Sequence, residues 1–119
     1  MNLRMLATER LLEIETAFGE SMDRIVPLEI DGETLQLVLY LKDGTNLRVT
    51  EQWSGSILER YSYYWLTPTN ELKVGWDNAP HHKRLETHPH HKHVERKEQL
   101  QPSSETCLEE VMKIVLTGV

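Results

Sequence analysis

Between Thr34 and Leu41 the chain alternates without a break. Leu35, Leu37, Leu39 and Leu41 point one way, and Thr34, Gln36, Val38 and Tyr40 the other. A period of two is that of a β-strand with one face on a core. Asp31-Gly32 and Asp43-Gly44, which bracket this segment, are strong tight-turn dipeptides, so both neighbours are predicted to fold back as antiparallel strands. The pattern predicts strands over about 24–29, 33–42 and 45–53. Pro27 cannot donate to a ladder and favours an edge position for the first of them. Ser54-Gly55-Ser56 ends the third strand. A fourth, dense in aromatic residues (Tyr61, Tyr63, Tyr64, Trp65), runs to Thr67, and Leu72, Val74 and Trp76 alternate into a fifth that stops before Pro80.

The two ends of the chain have a different period. Leu3, Ala7, Leu11, Ile14 and Phe18 recur at helical steps, with Glu9, Arg10, Glu13 and Glu15 mostly away from the stripe. Leu108, Val111, Met112, Val115 and Leu116 repeat the pattern after the cap candidates at Pro102-Ser103-Ser104-Glu105. Glu105, Glu109 and Glu110 read as a solvated helix face. The expected fold is a single α+β domain over residues 1–119. A five-stranded antiparallel meander carries an N-terminal and a C-terminal helix packed on one of its faces. No apolar run approaches the roughly 18–20 residues of a membrane span. The start of the chain lacks the pattern of a secretory signal, and Cys107 is the single cysteine, so the expected location is the cytoplasm.

Charge is unevenly spread. The 119 residues carry a formal −6, yet the stretch from His81 to Lys97 holds five basic and two acidic residues, a local +3. All six histidines fall in thirteen positions of that stretch: His81, His82, His88, His90, His91 and His93. Imidazole titrates near neutrality, so a pair can act as general base and general acid in one turnover. Lys83, Arg84, Lys92 and Arg96 would supply the positive field that a phosphodiester and its transition state require. Such a set can cleave RNA without a metal, because the 2′-hydroxyl is the nucleophile. On this reading His81, His82 and His91 transfer protons, and Asp77 holds an imidazole in its tautomer. Lys83, Arg84 and Lys92 touch phosphate, and Tyr64, on the strand face opposite Tyr61, Tyr63 and Trp65, is the aromatic available to a substrate.

Two other readings stay open. His90, His91 and His93 could ligate zinc or another divalent ion, with Asp77 or an acidic residue of the sheet completing the set, although their spacing matches no standard signature. The cluster could also be a solvated loop whose imidazoles cap strands. For the aromatics, a platform that stacks RNA bases competes with plain core. For Cys107, a thiolate favoured by the helix start competes with a small buried apolar residue.

The run Trp76-Asp77-Asn78-Ala79-Pro80-His81-His82, followed by Pro89-His90-His91-Lys92-His93 and a Leu-Glu-Glu-Val helix at 108–111, resembles the TumE family of toxin–antitoxin proteins. The resemblance spans nearly the whole chain. Its matching positions are Asp77, Asn78, Pro80, His81, His82, His90, His91, Lys92 and His93. It implies a small prokaryotic toxin paired with a helix-turn-helix antitoxin. Joined to the histidine chemistry, it gives the expectation of a toxin acting on RNA as a metal-independent ribonuclease. The alternative is a non-enzymatic module that binds a protein or a metal through the same loop. Homo-oligomerisation is left open.

Overall fold

The computed structural model describes residues 4–80, 87–96 and 98–117. The alternating segment forms strand β2 (Thr34–Leu41), flanked by β1 (Met22–Asp31) and β3 (Asn46–Ser54), and followed by β4 (Ile57–Leu66) and β5 (Leu72–Asp77). Helix α1 (Ala7–Phe18) precedes them through a short 3-10 turn, and α2 (Leu108–Thr117) closes the chain. Gly44, at φ +91°, occupies a backbone region that L side chains rarely adopt, which is why Asp-Gly marks the β2–β3 turn. The Asp43 carboxylate completes that turn by accepting both the amide and the hydroxyl of Thr45.

The sheet has seven strands instead of five. The chain continues into β6 (His91–Val94) and β7 (Leu100–Pro102), and the order β1-β2-β3-β4-β5-β6-β7 is antiparallel throughout. The region expected to be a loop thus supplies two strands. Both are short, and neither carries the apolar alternation that announces β2. Pro27 lies where its lack of an amide hydrogen is tolerated, on edge strand β1 and beside a register irregularity.

Inward residues of the sheet, among them Leu35, Leu37, Val49, Tyr61, Tyr63, Trp65 and Trp76, form one buried cluster with Ala7 and Ile14 of α1 and Leu108, Val111, Met112 and Val115 of α2. The aromatics are therefore core, and the stacking-platform reading of Tyr61, Tyr63 and Trp65 is set aside. Tyr64 points to the opposite, outer face, as alternation requires.

Arg10 departs from the expectation of a solvated face, whereas Glu109, about half exposed, keeps to it. The Arg10 guanidinium is 2% exposed and grips Glu51, which is fully buried, at 2.7 and 3.0 Å. It also holds Glu109 at 2.7 and 3.1 Å. Tyr63 and Trp53 donate to the same Glu51 carboxylate. Burial works against the charge on Arg10, but the hydrogen bonds and charges of Glu51 and Glu109 more than offset it and raise its pKa. This knot joins α1, β3 and α2. Glu105 accepts from Trp76 and Lys92, and Glu110 reaches back to the amide and hydroxyl of Thr106 before α2.

Candidate functional site

Strand register builds the site. Gln36, Thr50, Ser62, Asp77 and His91 are successive partners across β2 to β6, and Val38, Arg48, Tyr64, Gly75 and His93 form the next row on the same outer face. Between them runs a core-face row, Leu37, Val49, Tyr63, Trp76 and Lys92. The alternation that sends His91 and His93 outward sends Lys92 inward, where its ammonium meets Glu105 at 3.3 Å. Lys92 is thus not brought to the histidines. His90 parts from them too: its Nδ1 is 2.9 Å from the Tyr61 hydroxyl, and their rings stack.

Asp77, His91 and His93 are brought together. The Nε2 atom of His91 is 2.7 Å from Asp77 Oδ1, and that of His93 is 3.4 Å from Asp77 Oδ2. Asp77 is aimed by its own turn, since Oδ1 also accepts the amide of Ala79 at 2.9 Å. Asn78 has a different task. It accepts the amide of Tyr61 and donates to the carbonyl of Glu59, finishing the backbone pairing of β4 where the ladder with β5 stops. His91 is oriented from behind, because its Nδ1 lies 2.9 Å from the carbonyl oxygen of Pro89. A carbonyl only accepts, so Nδ1 carries a hydrogen and Nε2 is the nitrogen that faces Asp77. In the neutral ring Nε2 presents a lone pair, and a contact of 2.7 Å with a carboxylate oxygen needs a shared proton or cation between them.

Tyr64 completes the cluster. Burial first, then the charge of Asp77, raises the pKa of its phenol, so the hydroxyl stays protonated near the carboxylate. Its ring lies flat across Gly75. A Cβ added there would sit 2.4 Å from the Tyr64 ring, so only glycine permits this approach. These groups border a cavity of about 570 Å³ whose lining also includes Gln36, Gln52, Arg60 and Ser62.

His81, His82, Lys83 and Arg84 lie outside the described residues. Of the remaining expected residues, Asp77, His91, His93 and Tyr64 converge, while Lys92 and His90 are turned to the other side. Gly75, Ser62 and Arg60 were not singled out from the sequence. The two-residue alternation about Tyr64 and Asp77 was the available signal for Ser62. Burial pushes the Cys107 thiol up, which favours the reading of a small apolar residue over that of a thiolate at the helix start.

A family model described as toxin TumE matches residues 8–119, nearly the whole chain. The chain belongs to the TumE toxin family. As a TumE toxin it is one half of a toxin–antitoxin system, and an antitoxin is its implied partner. No curated protein and no solved structure matched the chain. Among the described residues, no helix of this TumE chain is long and apolar enough to cross a membrane.

Proposed function

We propose that this toxin acts on RNA, as a ribonuclease working in the outer-face cavity above Asp77, His91 and His93. The observation that carries the reading is the 2.7 Å contact between a tautomer-fixed imidazole and a carboxylate at the border of an open polar cavity. Strand cleavage through the 2′-hydroxyl asks for three services. A base takes the proton of the hydroxyl as the new P–O2′ bond forms. Positive charge steadies the non-bridging oxygens. An acid returns a proton to the 5′-oxygen as its bond to phosphorus breaks. Imidazoles and a carboxylate within reach of one another are the groups for such steps, and Arg60 on the cavity wall supplies positive charge. His81, His82, Lys83 and Arg84 remain part of the proposal from the sequence, as proton-transfer and phosphate-contacting groups. The antitoxin we propose is a helix-turn-helix protein, as the family resemblance implies, and the site of action the cytoplasm.

Incubation of purified toxin with end-labelled cellular RNA tests the reading. Wild type is expected to produce discrete fragments, His91→Ala none, and a substrate with 2′-deoxyribose at the cut position is expected to stay whole. Intact RNA under conditions in which the toxin arrests growth would remove the ribonuclease reading. A non-enzymatic role, in which the same segment binds a protein, would then take its place.

A further inference from the structure

The close approach of two imidazole nitrogens to one carboxylate marks a place where a cation can sit. We infer that Asp77, His91 and His93 form a binding site for one first-row divalent transition-metal ion, of which zinc is the representative. One carboxylate oxygen and one nitrogen from each imidazole all lie within 4.8 Å of one another. They come from adjacent strands whose ladder fixes them, Asp77 opposite His91 and His93 two residues on along the same face.

Two features separate this group from a chance gathering of polar residues. The first is the second-layer contact: Nδ1 of His91 donates to the Pro89 carbonyl, leaving Nε2 aimed at the site. Holding one ring nitrogen by a carbonyl so that the other can ligate is the usual arrangement around metal-bound histidine. The second is spacing. Ligands on bonds of about 2.0–2.2 Å stand roughly 3.0–3.5 Å from one another. His93 Nε2 stands 3.4 Å from Asp77 Oδ2 and His91 Nε2 2.7 Å from Asp77 Oδ1, and one donor atom from each of the three residues lies within 4.8 Å of the others, so side-chain adjustment alone brings the set to ligating distance.

The donor set selects the class of ion. Two imidazoles and one carboxylate suit zinc, cobalt, nickel or iron(II) better than magnesium or calcium, which prefer oxygen alone. Among the described residues the set numbers three ligands, the count typical of catalytic sites, in which a further position takes water or substrate. The cavity gives that position access. His90, which the sequence also offered as a ligand, is excluded because its ring faces Tyr61. A bound ion would supply Lewis-acid charge to a phosphodiester oxygen, in place of the metal-independent shuttle expected from the sequence. That consequence rests on the ribonuclease reading, whereas binding of the ion does not.

The test uses the purified full chain, stripped with chelator and titrated with Co²⁺ or Zn²⁺ alone. Cobalt absorption and equilibrium dialysis are expected to show one ion per chain. Nitrogen-15 spectra of the wild type are expected to show Nε2 of His91 and His93 perturbed by zinc while the Nδ1 hydrogen of His91 persists. Asp77→Asn and His91→Ala should weaken binding at least about tenfold, and His90→Ala should leave it unchanged. Unperturbed Nε2 signals, or binding by a folded Asp77→Asn protein equal to wild type, would overturn the site; the wild-type spectra decide the matter even where a variant does not fold. RNA cleavage is scored separately. Saturable binding without cleavage by the loaded toxin removes the ribonuclease reading and leaves the ion. Cleavage by protein that takes up no ion does the reverse.

Discussion

Among the described residues, ionic clusters are buried on opposite faces of one sheet, around Glu51 and around Asp77, and they are built for different ends. On the core face, the Glu51 carboxylate accepts from Arg10, Tyr63 and Trp53. Its partner is a guanidinium, which stays charged at any ordinary pH and ligates nothing. On the outer face, Asp77 is partnered by imidazoles, which exchange protons and ligate metals, and the cluster borders a cavity. Burial of charge alone therefore does not mark a working site. The distinction lies in whether the partners can give up what they hold, and in whether anything can reach them.

Substitutions that split the two clusters sharpen this contrast. The largest expected effect belongs to Glu51→Ala. It leaves Arg10 buried beside stranded donors and should cost about 3–5 kcal/mol of unfolding free energy, read by urea denaturation. The double change Arg10→Met/Glu51→Leu should recover part of that loss, because the buried charge is gone while the Tyr63 and Trp53 donors still lack their acceptor. If Glu51→Ala were as stable as wild type, the knot would have no structural role.

Gly75→Ala comes next. Its Cβ collides with the Tyr64 ring, so stability should fall by about 1–3 kcal/mol and toxicity should fall with it. Adding Tyr64→Ala should relieve the stability loss without restoring toxicity. Tyr64→Phe removes only the hydroxyl that lies in the field of Asp77, for about 0.5–1.5 kcal/mol by thermal melting. A Phe variant of full toxicity and stability would detach Tyr64 from the cluster.

The smallest effect concerns His90. Burial lowers its pKa below the ordinary 6.5. The unfolded chain then takes up the proton first as pH falls. This contribution to stability is present above about pH 6.5 and is lost as pH drops toward the lower folded value. Stability of wild type minus that of His90→Gln, followed from pH 7.5 to 5, should decline. A difference that rises on acidification would contradict the placement of His90 against Tyr61.

Much of this fold was legible because periodicity reports burial directly. The four leucines of β2 and the Asp-Gly turns located the first hairpins, and Pro27 located an edge. β6 and β7 were not legible: His91-Lys92-His93 carries no apolar alternation, and such short strands gain their order from pairing with β5. That pairing also decides the site. Sequence proximity put Lys92 among the histidines, whereas the pleat turns it to Glu105. Arg10 looked solvated because charged residues on a helix usually are; a partner 41 residues away on β3 was invisible in the local pattern.

Asp77→Asn is nearly isosteric, keeps an acceptor for the Ala79 amide and removes the charge that faces both imidazoles. Growth after induction of this variant, in cells lacking the antitoxin and with folding verified by its melting curve, tests the account most directly. The account predicts that these cells grow like uninduced ones while wild type arrests them. A folded Asp77→Asn protein that arrests growth as fully as wild type would show that the toxin works elsewhere.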